Sequence, residues 1–229
     1  MIKLRDSWLF ALTIHFSTFA PAIAAELKTI FDPTGAIAFN LSEPPRVIDP
    51  KIDKHEADYL HEIEVRPWPN KKMPLKLYIS LTGERGFDEK LSALIAKAFM
   101  QWITVQSSLE ILPVNEYGKA DIVVERIPFS EMSDGSAGRT FYDYDMTSRE
   151  LKHPVIRARV NLYCSSGRAS DLDSEATDAL FNLGMHEAGH AFGLDGHSAD
   201  PEDVMFAKST NMKLSRRDLA SIIHLYPKQ

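Results

Sequence analysis

The chain has 229 residues, 44% of them hydrophobic, enough to bury one good core and favouring a single domain with extensions over two full domains. A formal net charge of −6 with no basic stripe argues against nucleic acid as the main partner. Cys164 is the sole cysteine, which excludes an intramolecular disulfide and leaves packing to hold the protein together, with the thiol expected as a half-buried structural group.

Lys3 and Arg5 precede a mostly apolar run from Trp8 to Phe19, followed by Pro21 and the small residues Ala22, Ala24 and Ala25. This layout predicts a signal peptide over residues 1–25, cleaved after Ala24 or Ala25, and a secreted or periplasmic protein. The rival reading, a membrane anchor, is opposed by Thr13, His15, Ser17 and Thr18, which interrupt a run already short for a span. No other apolar stretch is long enough, so no stable membrane insertion is expected after cleavage.

Residues 26–69 carry Pro33, Pro44, Pro45, Pro50, Pro67 and Pro69 and no sustained apolar period. They predict an extended amino-terminal segment, either a propeptide or a strap packed on the domain, with a short helix through His55 to Ile63. His55 and His61 are six apart, do not share a helical face, and read as solvated surface rather than a second metal site.

Leu75 to Ile79 alternate as a strand does. Asp88 opens a helix in which Leu91, Leu94, Ile95, Ala98, Phe99 and Trp102 recur at three and four to make one apolar face. Leu109–Val114 and Ala120–Ile127 read as two further strands, so the helix is a crossover over one face of a mixed sheet. Ser130–Gly138 is a loop and Arg139–Tyr144 a short strand, its aromatics Phe141, Tyr142 and Tyr144 expected to cover the sheet rather than line a cleft. Asp143 and Asp145 are candidates for a structural calcium ion, weighed against two solvated loop carboxylates. Val155–Tyr163 alternates again, with Ile156, Ala158, Val160 and Leu162 expected to face the core.

Asp173 or Ser174 caps the next helix, whose first turn carries Glu175 and Asp178 and whose Ala176, Ala179, Leu180 and Leu183 are expected to bury it. A last helix runs from about Ser215 to Tyr226, with Leu219, Ile222, Ile223 and Tyr226 on its apolar face and His224 off that face, expected exposed.

The chemistry is concentrated in His186-Glu187-Ala188-Gly189-His190-Ala191-Phe192-Gly193-Leu194-Asp195-Gly196-His197. His186 and His190, four apart on a helix, point both imidazoles at one spot, a metal site. Glu187, on the adjoining edge of that face, reaches a water on the metal without being a ligand, the position of a general base. Gly193 is able to end the helix in a left-handed conformation and return the chain so that His197 supplies a third nitrogen. Three protein ligands leave a fourth position for water, the pattern of catalytic rather than structural zinc sites.

These residues resemble the metzincin zinc metalloproteases, whose pattern is H-E-x-x-H-x-x-G-x-x-H followed by a Met-turn, and most of all the matrixins and their bacterial relatives. Met205 stands where the Met-turn methionine is expected, Leu214-Ser215-Arg216-Arg217-Asp218 to Tyr226 resembles the closing helix, and Ala120–Val123 resembles the strand preceding the substrate edge. The resemblance implies a zincin-like α+β domain over residues 70–229, a mixed twisted sheet with an active-site helix and a C-terminal helix. It also implies Zn2+ held by His186, His190 and His197, with Glu187 activating water to hydrolyse a protein or peptide laid along Arg139–Tyr144. The wall of a specificity pocket is expected from the loop between His197 and Ser215.

Two departures stand out. Gly196 occupies the place of the family's third histidine, so His197 lies one residue late, with Asp195 as the fallback ligand. No cysteine precedes the domain, so a cysteine-switch latency has no residue to work with. Alternatives to an endopeptidase are a non-catalytic zinc-holding binding module of the same fold and a zinc amidase acting on cell-wall material; retention of Glu187 speaks against the former.

Overall fold

The computed structural model describes the backbone of residues 28–31 and 37–40 and, from residue 51 to residue 228, all but residues 82, 129–130, 132–134 and 150–152. The expected signal peptide lies outside the described residues. A hairpin-like pair, β1 (Lys28–Phe31) and β2 (Ile37–Asn40), runs antiparallel. The short β3 (Glu64–Val65) pairs antiparallel with a late strand, β9 (Leu194–Asp195).

The main sheet has five strands: β4 (Leu75–Ile79), β5 (Ile111–Pro113), β6 (Ile122–Ile127), β7 (Gly138–Tyr144) and β8 (Val155–Tyr163). Their order is β5-β4-β6-β8-β7, parallel throughout except for β7, which closes one edge antiparallel to β8. Three α-helices complete the fold: α1 (Glu89–Met100), α2 (Ser174–Ala191) and α3 (Arg216–Leu225). Thus the α+β architecture, the mixed sheet and both expected late helices are present.

Local chemistry explains where the helices start. Asp88, Asp173 and Ser215 each cap a helix by accepting a backbone N–H from the first turn, that of Leu91, Ala176 and Asp218 respectively. Asp218 returns the bond to the Ser215 N–H, making a capping box on α3. In β4, Leu75, Leu77 and Ile79 are buried while Lys76 is exposed, the period-two signature of a sheet covered on one face. α1 and α2 pack on each other and α2 lies against β7 and β8. Their crossing is close because a Cβ on Gly184 would come within 3.1 Å of the Ala98 methyl, and it is locked where Trp102 Nε1 donates to Met185 O at 2.9 Å.

Four expectations are corrected. Residues 55–63 form turns, not a helix: Tyr59 is drawn wholly into the core, its hydroxyl donating to Asp218 on α3. In β8, Val155 is buried and Ile156 is 44% exposed, because the pairing with β7 skips from Asp143↔Arg157 to Tyr144↔Val155 and leaves Ile156 as the extra residue of a bulge. In α2, Ala179 faces solvent; the buried stripe is Leu180, Phe181, Gly184, Met185 and Ala188. His224 is half-buried and ion-paired, its Nδ1 2.6 Å from Asp58 Oδ2.

Candidate metal centre and active site

His186 and His190 lie one turn apart near the end of α2, with ring centroids 4.8 Å apart. The helix ends because the Gly193 N–H turns back to His190 O at 2.7 Å and Gly193 adopts φ +100°. Side chains are excluded there twice over, since a Cβ would also fall within 2.5 Å of Arg66 O. The chain then passes through β9 and Gly196, at φ +150°, and delivers His197, whose ring centroid is 5.2 Å from each of the other two imidazoles. One nitrogen from each ring lies within 4.8 Å of the others, and among the described residues this is the cluster able to hold a metal ion. The extra residue is therefore taken up within the loop. Asp195, the fallback, is turned away into an ion pair with Arg66 Nε.

The donor set fits zinc. His186 Nδ1 is 2.7 Å from Val204 O and His190 Nδ1 is 2.7 Å from Leu194 O. A carbonyl only accepts, so each Nδ1 carries its proton and each Nε2 presents a lone pair. Burial, reinforced by the neighbouring imidazole His190, pushes His186 down to about 3; burial likewise lowers His190 and His197. Neutral imidazoles are the form that binds metal.

Glu187 is 3% exposed. Burial raises its carboxyl to about 7, opposed by a hydrogen bond from Thr140 and the charge of Arg139. Thr140 Oγ1 donates to Glu187 Oε2 at 2.7 Å from β7. On the same face of that strand, a Cβ on Gly138 would come within 2.5 Å of Glu187 Oε1, and the Tyr142 hydroxyl donates to His190 O. Alternate residues of β7 thus touch α2, one making room for the carboxylate and two bonding to it and to the helix. Sequence reading identified the strand but assigned Tyr142 to sheet cover; the period-two pairing of 138, 140 and 142 was the available signal.

Behind Gly189 of α2, Met205 is fully buried, and a side chain on Gly189 would collide with its Sδ and with Trp102. Asp218, also fully buried, accepts from the N–H groups of Val204 and Ser215, each at 2.8 Å, and from Tyr59 Oη at 2.7 Å. A continuous chain therefore runs from Tyr59 through Asp218 and Val204 to the His186 ring. Met205 was expected from the resemblance; the Tyr59, Asp218 and Val204 support was not identified from sequence, because it joins segments far apart in the chain.

Other candidates fall outside the centre. Asp143 pairs with Arg159 at 3.0 Å and Asp145 accepts from the N–H and hydroxyl of Thr147, so the pair suggested for calcium is not gathered with other acidic groups among the described residues. His55 and His61 are exposed. Cys164 is buried and donates to Ser166 O at 3.0 Å, with burial raising its thiol. A depression on the loop after His197 is lined by residues including Asp200, Glu202, Met212 and Arg216 and by none of the three histidines.

A helix-borne H-E-x-x-H, a third histidine on the returning loop and a methionine buried against Gly189 define a zinc hydrolase of the metzincin kind. The matrixin sequence pattern, peptidase family M10, matches residues 67–227, most of the chain, and the protein belongs to that family of zinc metalloendopeptidases. Comparison with curated proteins finds no match. Zinc is the ion that the family and the His186, His190 and His197 cluster imply.

Proposed function

We propose that this is a secreted endopeptidase in which His186, His190 and His197 ligate zinc and Glu187 is the general base. A bound zinc ion supplies a Lewis acid that polarises the scissile carbonyl and acidifies water. Glu187 takes the proton of the attacking water and returns it to the leaving amine, a task for which a carboxyl near pH 7 is well matched. Thr140 and the space over Gly138 fix where that carboxylate stands. The single observation carrying the reading is this buried carboxyl, held from the strand side beside three neutral imidazoles.

β7 is the terminal strand of the five-stranded sheet, which favours an extended peptide pairing along it by main-chain hydrogen bonds. Secretion rests on Lys3, Arg5, the Trp8–Phe19 run and Ala22, Ala24 and Ala25. Among the described residues no helix is long and apolar enough to cross a membrane.

The test is cleavage of a mixed quenched-fluorescent peptide library by the protein as secreted, with its amino terminus sequenced. Hydrolysis within peptides, abolished by a chelator and restored by zinc, with a start at Ala25 or Glu26, is expected. Cleavage of cell-wall amides but not of peptides overturns the substrate class, and retention of the first 25 residues overturns the processing.

A further inference from the structure

The residue that displaces the third histidine is met by a segment lying just before the family-matched region. The matrixin match begins at residue 67, whereas Ile63 to Arg66 precede it. Glu64 lies opposite Asp195 and Val65 opposite Leu194 in the β3–β9 pair. The Arg66 N–H donates to Gly193 O at 2.8 Å, and its guanidinium Nε binds the Asp195 carboxylate. Ile63 closes over Gly196, where a Cβ would come within 2.9 Å of the Ile63 Cβ. Each residue from Gly193 to Gly196 therefore has one counterpart from Ile63 to Arg66. Arg66 also lies over the rings of Tyr142 and Tyr144, at 5.9 and 5.5 Å, joining the same point to β7.

We propose that Ile63–Arg66 is a clasp that fixes His197 as third zinc ligand, with Arg66 as its positioning residue, and that this segment is a permanent part of the enzyme. The inference rests on the zinc site proposed above. An insertion lengthens the span between His190 and His197, and two glycines in that span, Gly193 and Gly196, widen the conformations open to it. A ligand on such a loop loses affinity to the ordering it must undergo on binding; a loop already paired to a strand does not. The clasp reaches His190 too, because Leu194, paired with Val65, supplies the carbonyl that orients the His190 ring. A removable propeptide has no reason to complete the ligand loop of the site it leaves.

The decisive measurement is the zinc dissociation constant, by competition with a chromophoric chelator, for the full-length protein and its Arg66→Ala, Asp195→Ala and doubly substituted forms. The visible spectrum of each cobalt-loaded protein and the thermal midpoint of each metal-free protein are recorded alongside. Each single variant is expected to weaken zinc by about tenfold or more, the range typical of groups that orient metal ligands. The double variant should be no weaker than the worse single, because the two residues form one contact. The cobalt bands should weaken in parallel while the metal-free midpoint barely moves, since Arg66 and Asp195 side chains are 30% and 35% exposed. Equal affinity in all four proteins overturns the clasp, as does strict additivity of the two losses. Absence of zinc binding by the unsubstituted protein overturns the metal site instead. Should Arg66→Ala not fold, Asp195→Ala carries the test alone, since it removes the acceptor of the Arg66 guanidinium, and unchanged affinity there is equally fatal. Permanence is read from the amino terminus of the active protein: a start upstream of Ile63 is expected, and an active form beginning after Arg66 overturns it.

Discussion

Gly138→Ala isolates the placement of Glu187 from the rest of the site. Gly138 has ordinary strand backbone, so alanine brings no local strain; the three atoms nearest the added Cβ all belong to the Glu187 side chain, at 2.5 Å for Oε1, 2.8 Å for Cγ and 2.9 Å for Cδ. Ordinary contact begins near 3.4 Å, so either the carboxylate or β7 must give way by about 1 Å, a misplacement that costs on the order of a hundredfold in rate. Overpacking of this kind typically costs about 1–3 kcal/mol of stability. The expected outcome is kcat/KM lowered by about two orders of magnitude with zinc content and fold retained. Gly118→Ala, where nothing lies within 4 Å of the new methyl, serves as the control and should be silent. The assay is steady-state hydrolysis of a quenched-fluorescent peptide, with metal analysis and a thermal melt on the same samples. Full activity in Gly138→Ala with zinc in place refutes the argument that β7 sets the position of the base.

Asp218→Ala removes the acceptor for three donors, Val204 N–H, Ser215 N–H and Tyr59 Oη, in a fully buried position. Each buried orphan costs about 1–3 kcal/mol, so a loss of roughly 3–5 kcal/mol in denaturant unfolding is expected, with zinc affinity falling as Val204 loosens from His186. Asp218→Asn, which keeps one acceptor oxygen, should lose less; a loss under about 1 kcal/mol in the alanine variant contradicts the role given to this carboxyl. Zinc binding should also resist acid. With His186 near 3 and His190 and His197 lowered, protons compete for the ligands at lower pH than they would for ordinary histidines. Affinity should fall between pH 7.5 and pH 5.5 by clearly less than the loss, on the order of a thousandfold, expected of three unperturbed histidines, and a loss of that full size contradicts the lowered imidazoles.

What the sequence made legible was local. Helix starts followed from Asp88, Asp173 and Ser215, because a cap and its first turn lie within four residues. The histidine pair followed from helical spacing. The phase of β8 failed at Val155 and Ile156 because one bulged residue reverses every side chain beyond it, and a bulge leaves no mark on the alternation before it. The expected helix over 55–63 failed because Tyr59 and Glu62 answer to Asp218 and Arg217, more than 150 residues away. His224 was misplaced for the same reason, its partner Asp58 lying in that segment. Thr140 over Glu187 and Arg66 against Asp195 are likewise contacts that only the folded chain creates.

The most direct test of the central claim is a paired determination on the protein and its Glu187→Ala variant: bound zinc per chain and peptide hydrolysis in the same preparation. The account predicts near one zinc in both, since Glu187 is not among the clustered ligands, with hydrolysis confined to the unsubstituted protein. Undiminished hydrolysis by the variant would contradict Glu187 as the base, and a protein without zinc would contradict the site itself.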